Sequence, residues 1–256
     1  MIFYVDTTDK RNQYLLKELN EKGMQVKVYN TSVKGIENGD FIVFSPAKKL
    51  EEKDILSIIK GVTIVGGNQS EIVNKFLQKK GIKYINLLND EAFAIKNALL
   101  TAEGVLFNII SCTDKSIFNN KIAILGAGRV GKAICQLLNK LNLDISLYLF
   151  QNDDFDNSIY FCDKVKSATR LNEDIKNFDI IINTVPFEIL TEEILKNISD
   201  KAVVLEIASK SCLDKNKLYL YNFQYIEAPA LPQKFCAETA SEIMLESIFK
   251  MGELII

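Results

Sequence analysis

The chain has 256 residues, 48% of them apolar and 25% charged, enough to bury one large core or two modest ones. Its 31 basic and 33 acidic residues nearly cancel and are spread along the whole chain, which argues against a nucleic-acid partner. Histidine is absent, and that excludes Ser-His-Asp and Cys-His nucleophile systems, histidine-based zinc sites and any enzyme that uses an imidazole as its proton partner. No metal is expected.

No apolar run reaches the roughly 18 to 20 uncharged residues that span a bilayer. Met1 to Val5 turns polar at once and has no basic region before it, so a cytoplasmic protein without a membrane partner is expected. The cysteines Cys112, Cys135, Cys162, Cys212 and Cys236 are odd in number and contain no C-x-x-C pair, and they read as reduced thiols, mostly small buried hydrophobes. Cys236 stands apart because of the loop it lies in.

In chain order, short β-branched runs at Ile2 to Val5, Gln25 to Tyr29, Phe41 to Ser45, Val62 to Val65 and Lys83 to Leu87 read as strands. Between them Lys10 to Lys22, Glu51 to Lys60 and Ser70 to Lys80 carry helical spacing with charged faces, which makes a small parallel α/β unit. A long helix is expected over Asp90 to Cys112, opened by Asn89 and Asp90 as acceptors for backbone N–H groups. Asn119 and Asn120 form a turn.

A second unit starts at Lys121. Its strands are expected at Ile122 to Leu125, Ile145 to Phe150, Ile180 to Asn183, Val203 to Ile207 and Leu218 to Tyr221, with helices at Val130 to Leu141, Thr191 to Ile198 and Glu238 to Met251. Asp153 to Asn177 is read as room for two short helices. The fold class is therefore α/β, two doubly wound parallel-sheet units, the second a Rossmann dinucleotide-binding domain. Residues 1–98 and 99–256 are the expected domains, with helix 238–251 free to pack back on the first.

Lys121 to Leu138 runs as an apolar strand, a G-x-G-x-x-G turn and an amphipathic helix. Gly126 permits the tight turn, Gly128 lets backbone approach a pyrophosphate and Gly131 lets the helix lie close on the strand, while the helix N-terminus meets the phosphate charge. Ala127, Arg129 and Val130 complete that loop. An ordinary strand-to-helix turn is the competing reading, and the strand before, the helix after and the second strand at Ile145 weigh against it. An acidic residue at the end of that second strand would hold the ribose of NAD, whereas Phe150-Gln151-Asn152 precede Asp153 and Asp154 here, so NAD and NADP both stay open.

Several segments resemble the A-subunit family of dipicolinate synthase, the sporulation enzyme that oxidises dihydrodipicolinate. Asn89-Asp90-Glu91, Asn97 and Thr101-Ala102-Glu103-Gly104 resemble the family's linker helix beside the nucleotide cleft. Asp179 to Pro186 resembles D-I-x-I-N-T-[IV]-P, Glu206 to Lys210 resembles D-L-A-S-R, and Ala228 to Pro232 with Thr239-Ala240 resembles A-P-G-L-P and T-A. Asp9 and Arg11 match a D-x-R element after the family's first strand. The chain departs from the pattern at Lys210, where the family has Arg, at Ser211 and Cys212, which replace glycines, and at Ala230 and Gln233, where glycines are usual.

The resemblance implies hydride transfer from a small cyclic dicarboxylate to NAD or NADP, with aromatisation supplying driving force. It implies that Asn183, Thr184, Val185, Pro186, Ala208, Ser209, Leu231 and Pro232, with Phe150, line the cofactor, as their places past strand ends also suggest. Asn97, Thr101 and Glu103 would orient the ring or accept its proton, and Arg11 and Lys210 would attract carboxylates. The bland alternatives are a plain strand stop at Asn183 to Pro186 and solvated helix positions for Thr101, Glu103 and Arg11. A second, flavoprotein-like synthase component is the implied partner, and a homo-oligomer is compatible with the sequence. The competing functions are a non-catalytic dinucleotide-binding partner protein or redox sensor, and, last, a D-2-hydroxyacid dehydrogenase, which needs the histidine this chain lacks.

Overall fold

The computed structural model describes residues 1–30, 35–150 and 155–254. By backbone contacts the chain forms two compact units, Met1–Asn97 together with the chain from Pro232 onward, and Ala98–Leu231.

In the first unit the strands are β1 (Phe3–Val5), β2 (Val26–Val28), β3 (Phe41–Val43), β4 (Thr63–Gly66) and β5 (Lys83–Asn86). They lie parallel in the order β2-β1-β3-β4-β5. Helices α1 (Lys10–Glu21), α2 (Glu52–Ile55) and α3 (Glu71–Lys80) alternate with them. The helix expected over Glu51 to Lys60 is only one turn long, and a turn with Gly61 at φ +88° leads the chain into β4. Tyr4, Ile42 and Ile64 fill one face of the sheet with Ile55, Val73 and Leu77. Leu15 and Leu19 of α1 are buried, and α1 packs on α10 (Ala237–Gly252), the last helix of the same unit. That parallel arrangement leaves both sheet faces covered, and the central strands are correspondingly continuous runs of buried residues.

Helix α4 (Glu91–Ser111) begins in the first unit and continues into the second. Among the described residues it is the one helix long and apolar enough, by length and composition, to cross a membrane. Lys96 and Glu103 interrupt it, and half of its most apolar window is buried inside the protein.

The second unit holds β6 (Lys121–Leu125), α5 (Arg129–Lys140), β7 (Asp144–Leu149), α6 (Phe155–Ser158), β8 (Val165–Ser167), α7 (Leu171–Asp174), β9 (Ile180–Asn183), α8 (Glu192–Leu195), β10 (Val203–Glu206) and β11 (Gln224–Glu227). The short helix α9 (Leu231–Phe235) follows. All six strands are parallel, in the order β11-β10-β9-β6-β7-β8. Read from the first strand of the unit, this is the doubly wound Rossmann order, with its switch point between β6 and β9. Ile122, Ile124, Ile180, Ile182 and Leu205 pack on one face with Ala102, Val105 and Ile109 of α4 and Ile134 and Leu138 of α5. Ala123, Leu125, Ile181 and Val204 pack on the other with Tyr148, Phe178 and Leu195.

Two strand expectations are corrected. Leu218 to Leu220 belongs to a 3-10 turn, Lys215–Leu220, opened by the Asp214 side chain accepting from the Asn216 N–H, Tyr221 caps it, and the strand is Gln224–Glu227. A sixth strand, β8, lies inside the segment read as two short helices; it pairs Val165–Ser167 with Leu147–Leu149.

Candidate functional site

The glycine turn connects β6 to α5 at the carboxyl edge of the second sheet. Gly126 has φ +96°, a left-handed backbone that favours glycine, and its N–H donates to the Tyr148 carbonyl at 2.9 Å. A Cβ at Gly126 would lie 2.6 Å from Val185 Cγ2 and 2.9 Å from Thr184 Oγ1, and one at Gly131 would lie 2.0 Å from the Gly126 carbonyl oxygen. The start of α5 is therefore packed against the backbone of the turn, and the turn against the side chains at the end of β9. Gly128 differs from both, since a Cβ there meets nothing within 4 Å. Its backbone borders open space, as close approach of a phosphate requires. The first turn of α5 begins with Arg129 and contains no acidic residue, so its N–H dipoles face that space with positive character. Ala127 is buried in the core, Arg129 is exposed and Val130 is half-buried. These residues fit the pyrophosphate of a dinucleotide.

The adjoining loops come from β9 and β10. Thr184 Oγ1 donates to the Leu125 carbonyl at 2.8 Å, which ties the β9 end to the β6 end. Asn183 is fully buried: its Nδ2 donates to the Val185 carbonyl at 2.9 Å and to Glu206 Oε1 at 2.8 Å, and its Oδ1 accepts from the Val185 N–H at 3.0 Å. It frames the loop and presents no group to a ligand, a correction to its expected place in the lining. Val185 is buried against the glycine turn, Pro186 is exposed, Ala208 is half-buried, and Ser209 and Lys210 are exposed. Leu231 is buried in the core of the second unit, and Pro232 belongs to the first. Phe150, half-buried, packs beside the core that contains Tyr148 and Phe178. Gln151 to Asp154, the positions that bear on the ribose, lie outside the described residues.

Sequence reasoning placed Glu206 only as the first residue of the stretch resembling D-L-A-S-R and gave it no role. This carboxylate at the end of β10 is 4% exposed, and it accepts from Asn183 Nδ2 (2.8 Å), the Ala208 N–H (3.0 Å), the Cys212 N–H (2.8 Å) and the Tyr225 hydroxyl (3.4 Å). Burial pushes the Cys212 thiol up, and the neighbouring Glu206 charge adds to the effect. Burial likewise raises the Tyr225 hydroxyl, so both groups keep their protons. The available signal was an acid ending the apolar run Val203-Val-Leu.

Thr101 and Glu103 share α4 but not a face. Two residues apart, they point about 200° apart around the helix; Thr101 is buried and Glu103 exposed. The expectation that both act on one ring is corrected. Asn97, half-buried, is one helical turn before Thr101.

Arg11 is corrected as well. It is neither solvated nor aimed at a ligand: it is 2% exposed, and its fork is turned on Asp9 of its own helix start. Nε lies 3.1 Å from Asp9 Oδ1, and Nη2 lies 2.7 Å from Oδ2 and 3.2 Å from Ser45 Oγ. Ser45 Oγ also donates to Asp9, and the Gln233 amide, with its nitrogen toward Asp9, donates at 2.8 and 3.1 Å. Burial alone would raise the Asp9 carboxyl, but the hydrogen bonds and charge of Arg11, with Ser45, outweigh it and hold it below the ordinary carboxylate value. Nearby, Lys48 pairs with Asp6 at 2.8 Å.

Residues 104–221 match the model of the D-isomer specific 2-hydroxyacid dehydrogenase, NAD binding domain. The sequence is 27% identical to the dipicolinate synthase A-subunit of Bacillus subtilis (strain 168), over 66% of this chain; the match spans 57% of that relative's length. Two crystal structures share the fold: the dipicolinate synthase A-subunit from Bacillus subtilis (TM-score 0.82, 20% identity, 98% of this chain and 95% of that one) and its counterpart from Bacillus halodurans (0.83, 18%, 98% and 96%). An NAD-complexed D-isomer specific 2-hydroxyacid dehydrogenase from Lactobacillus delbrueckii ssp. bulgaricus is similar at a TM-score of 0.58 and 11% identity, over 100% of this chain and 98% of that one. The chain is thus similar to the dipicolinate synthase A-subunit in sequence and fold, and its second unit, a Rossmann-type α/β fold, is similar to the NAD binding domains of dehydrogenases.

Proposed function

We propose that this chain binds NAD or NADP at the glycine turn of its second unit and oxidises dihydrodipicolinate to dipicolinate. The observation that carries the reading is the contrast among the three glycines: Gly126 and Gly131 are closed against backbone and side chain, and Gly128 opens on space at the N-terminus of α5. The cofactor, when bound, supplies the hydride acceptor. In this reading the N–H groups from Gly128 to Gly131 hold the pyrophosphate, and Thr184 to Pro186 and Ala208 to Ser209 frame the far half of the cofactor. Lys210, exposed at the end of that loop, draws a substrate carboxylate, while Thr101 of the same unit orients the ring. Because loss of hydride and a proton leaves an aromatic ring, positioning carries the rate and no strong base is needed.

A second reading is a dinucleotide-binding partner protein or redox sensor without chemistry of its own. The Arg11 fork favours it, since the arginine expected to draw a dicarboxylate is engaged by Asp9 within its own unit. Purified protein is titrated with NAD, NADH, NADP and NADPH, and dipicolinate is followed by absorbance with and without a flavoprotein-like second synthase component. Binding with product supports the synthase reading, binding without product in both conditions supports the sensor, and no binding overturns both.

A further inference from the structure

We infer that Glu206 is the positioning residue for the nicotinamide half of this site, an inference that rests on the dinucleotide reading above. In a Rossmann sheet the two βαβαβ halves bind the two nucleotides separately. The first half here, β6 to β8, carries the glycine turn, and the second half, β9 to β11, carries the loops at 183–186 and 207–212. Glu206 lies at the centre of that second half. One oxygen takes the Asn183 amide of β9 and the Ala208 N–H of its own loop; the other takes the Cys212 N–H at the loop's far end and reaches the Tyr225 hydroxyl of β11. The loop from Ile207 to Ser211 is thereby strapped at both ends to one carboxylate. The Asn183 bond extends the strap to Val185, whose side chain touches the Cβ direction of Gly126.

All four contacts on Glu206 are donors, so the site is matched to a carboxylate and not to its neutral isostere. A glutamine would turn its amide N–H₂ toward either the Asn183 and Ala208 donors or the Cys212 donor. At least one buried N–H would then face another N–H, and a buried donor without an acceptor is costly. The consequence is local, because the glycine turn is held by Thr184 on Leu125 and by the Gly126–Tyr148 backbone bond, neither of which involves Glu206.

The test compares whole and truncated cofactor on the full chain. NADH or NADPH, whichever the wild type holds, is titrated alongside the matching ADP-ribose or 2'-phospho-ADP-ribose, which lacks the nicotinamide. Glu206→Gln is expected to raise the dissociation constant of the whole cofactor about tenfold and to leave that of the truncated one within about twofold. Glu206→Asp, which keeps the charge, is expected to fall between the two. Equal weakening of both ligands, or weakening of neither, overturns the inference. If Glu206→Gln does not fold by circular dichroism, Asn183→Ser takes its place and is judged by the same two ratios. A wild type that binds neither ligand instead overturns the dinucleotide reading, and the inference with it.

Discussion

The two sheets of this chain are both parallel and both present loops at a carboxyl edge, but those edges are held differently. On the second sheet the glycine turn, Thr184 and the Asn183–Glu206 strap hold the edge through backbone groups and uncharged donors to a single carboxylate, and Gly128 is left beside open space. On the first sheet the loops after β1 and β3 are held by opposite charges: Arg11 on Asp9 with Ser45 and Gln233, and Lys48 on Asp6. An edge built of bare backbone can receive an anionic ligand. An edge whose cations already answer its own carboxylates is a structural joint first.

The comparison breaks most sharply at Arg11. Arg11→Met leaves the Asp9 carboxylate buried with no cation on it, and a loss of about 3–5 kcal/mol is expected in urea unfolding. Adding Asp9→Asn should recover much of that, because an asparagine still caps α1 and carries no charge. The pH dependence follows from the direction of the shift. The folded Asp9 carboxyl lies below its ordinary value of 3.8, so its contribution is fully present above that value and is lost as pH falls through the folded value. The stability gap between wild type and Arg11→Met should therefore be widest near neutral pH and close in acid. An Arg11→Met protein as stable as wild type at pH 7, with weakened dicarboxylate binding, would restore Arg11 to a ligand role.

On the other edge, Gly131→Ala puts a methyl 2.0 Å from the Gly126 carbonyl oxygen, where only backbone can give way. A loss of about 2–3 kcal/mol is expected by the same unfolding measurement. Gly128→Ala is its contrast, for a Cβ there has nothing to strike. It should keep the wild-type unfolding midpoint and lose cofactor affinity in a fluorescence titration. Equal stability losses at the two glycines would mean that Gly128 is as enclosed as Gly131.

These differences account for what the sequence could show. The turn from Gly126 to Gly131 was legible because its three glycines fall within six residues of chain, and the flanking strand and helix carry their own periodicities. Arg11 was misread because its partners include Ser45 and Gln233, which only folding brings near. Glu206 was matched to a family motif but given no role, because an acid at the end of an apolar strand looks like the strand's exit into solvent, and its four donors come from 183, 208, 212 and 225. Glu103 was grouped with Thr101 through a family motif, although helical geometry separates them. The strand at 224–227 was displaced because Leu218 to Tyr221 is the more apolar run, yet Asp214 caps it into a tight turn.

The smallest expected effect concerns Ala230, which stands where the resembling family carries glycine. Its φ of +55° is left-handed, a backbone that costs a residue with a Cβ roughly 1 kcal/mol or more. Asn142 and Glu253 share that left-handed backbone, whereas Gly39 and Gly61 meet the same demand with glycine. Ala230→Gly relieves the strain but gives the unfolded chain more freedom, so a net gain of only about 0.5–1 kcal/mol is expected. In thermal unfolding that is a rise of about 1–4 °C. A fall instead would show that the Ala230 methyl contributes packing worth more than the backbone strain it imposes. The departure from glycine would then be a stabilising feature of the second sheet's edge, which would be held by side-chain packing as well as by backbone.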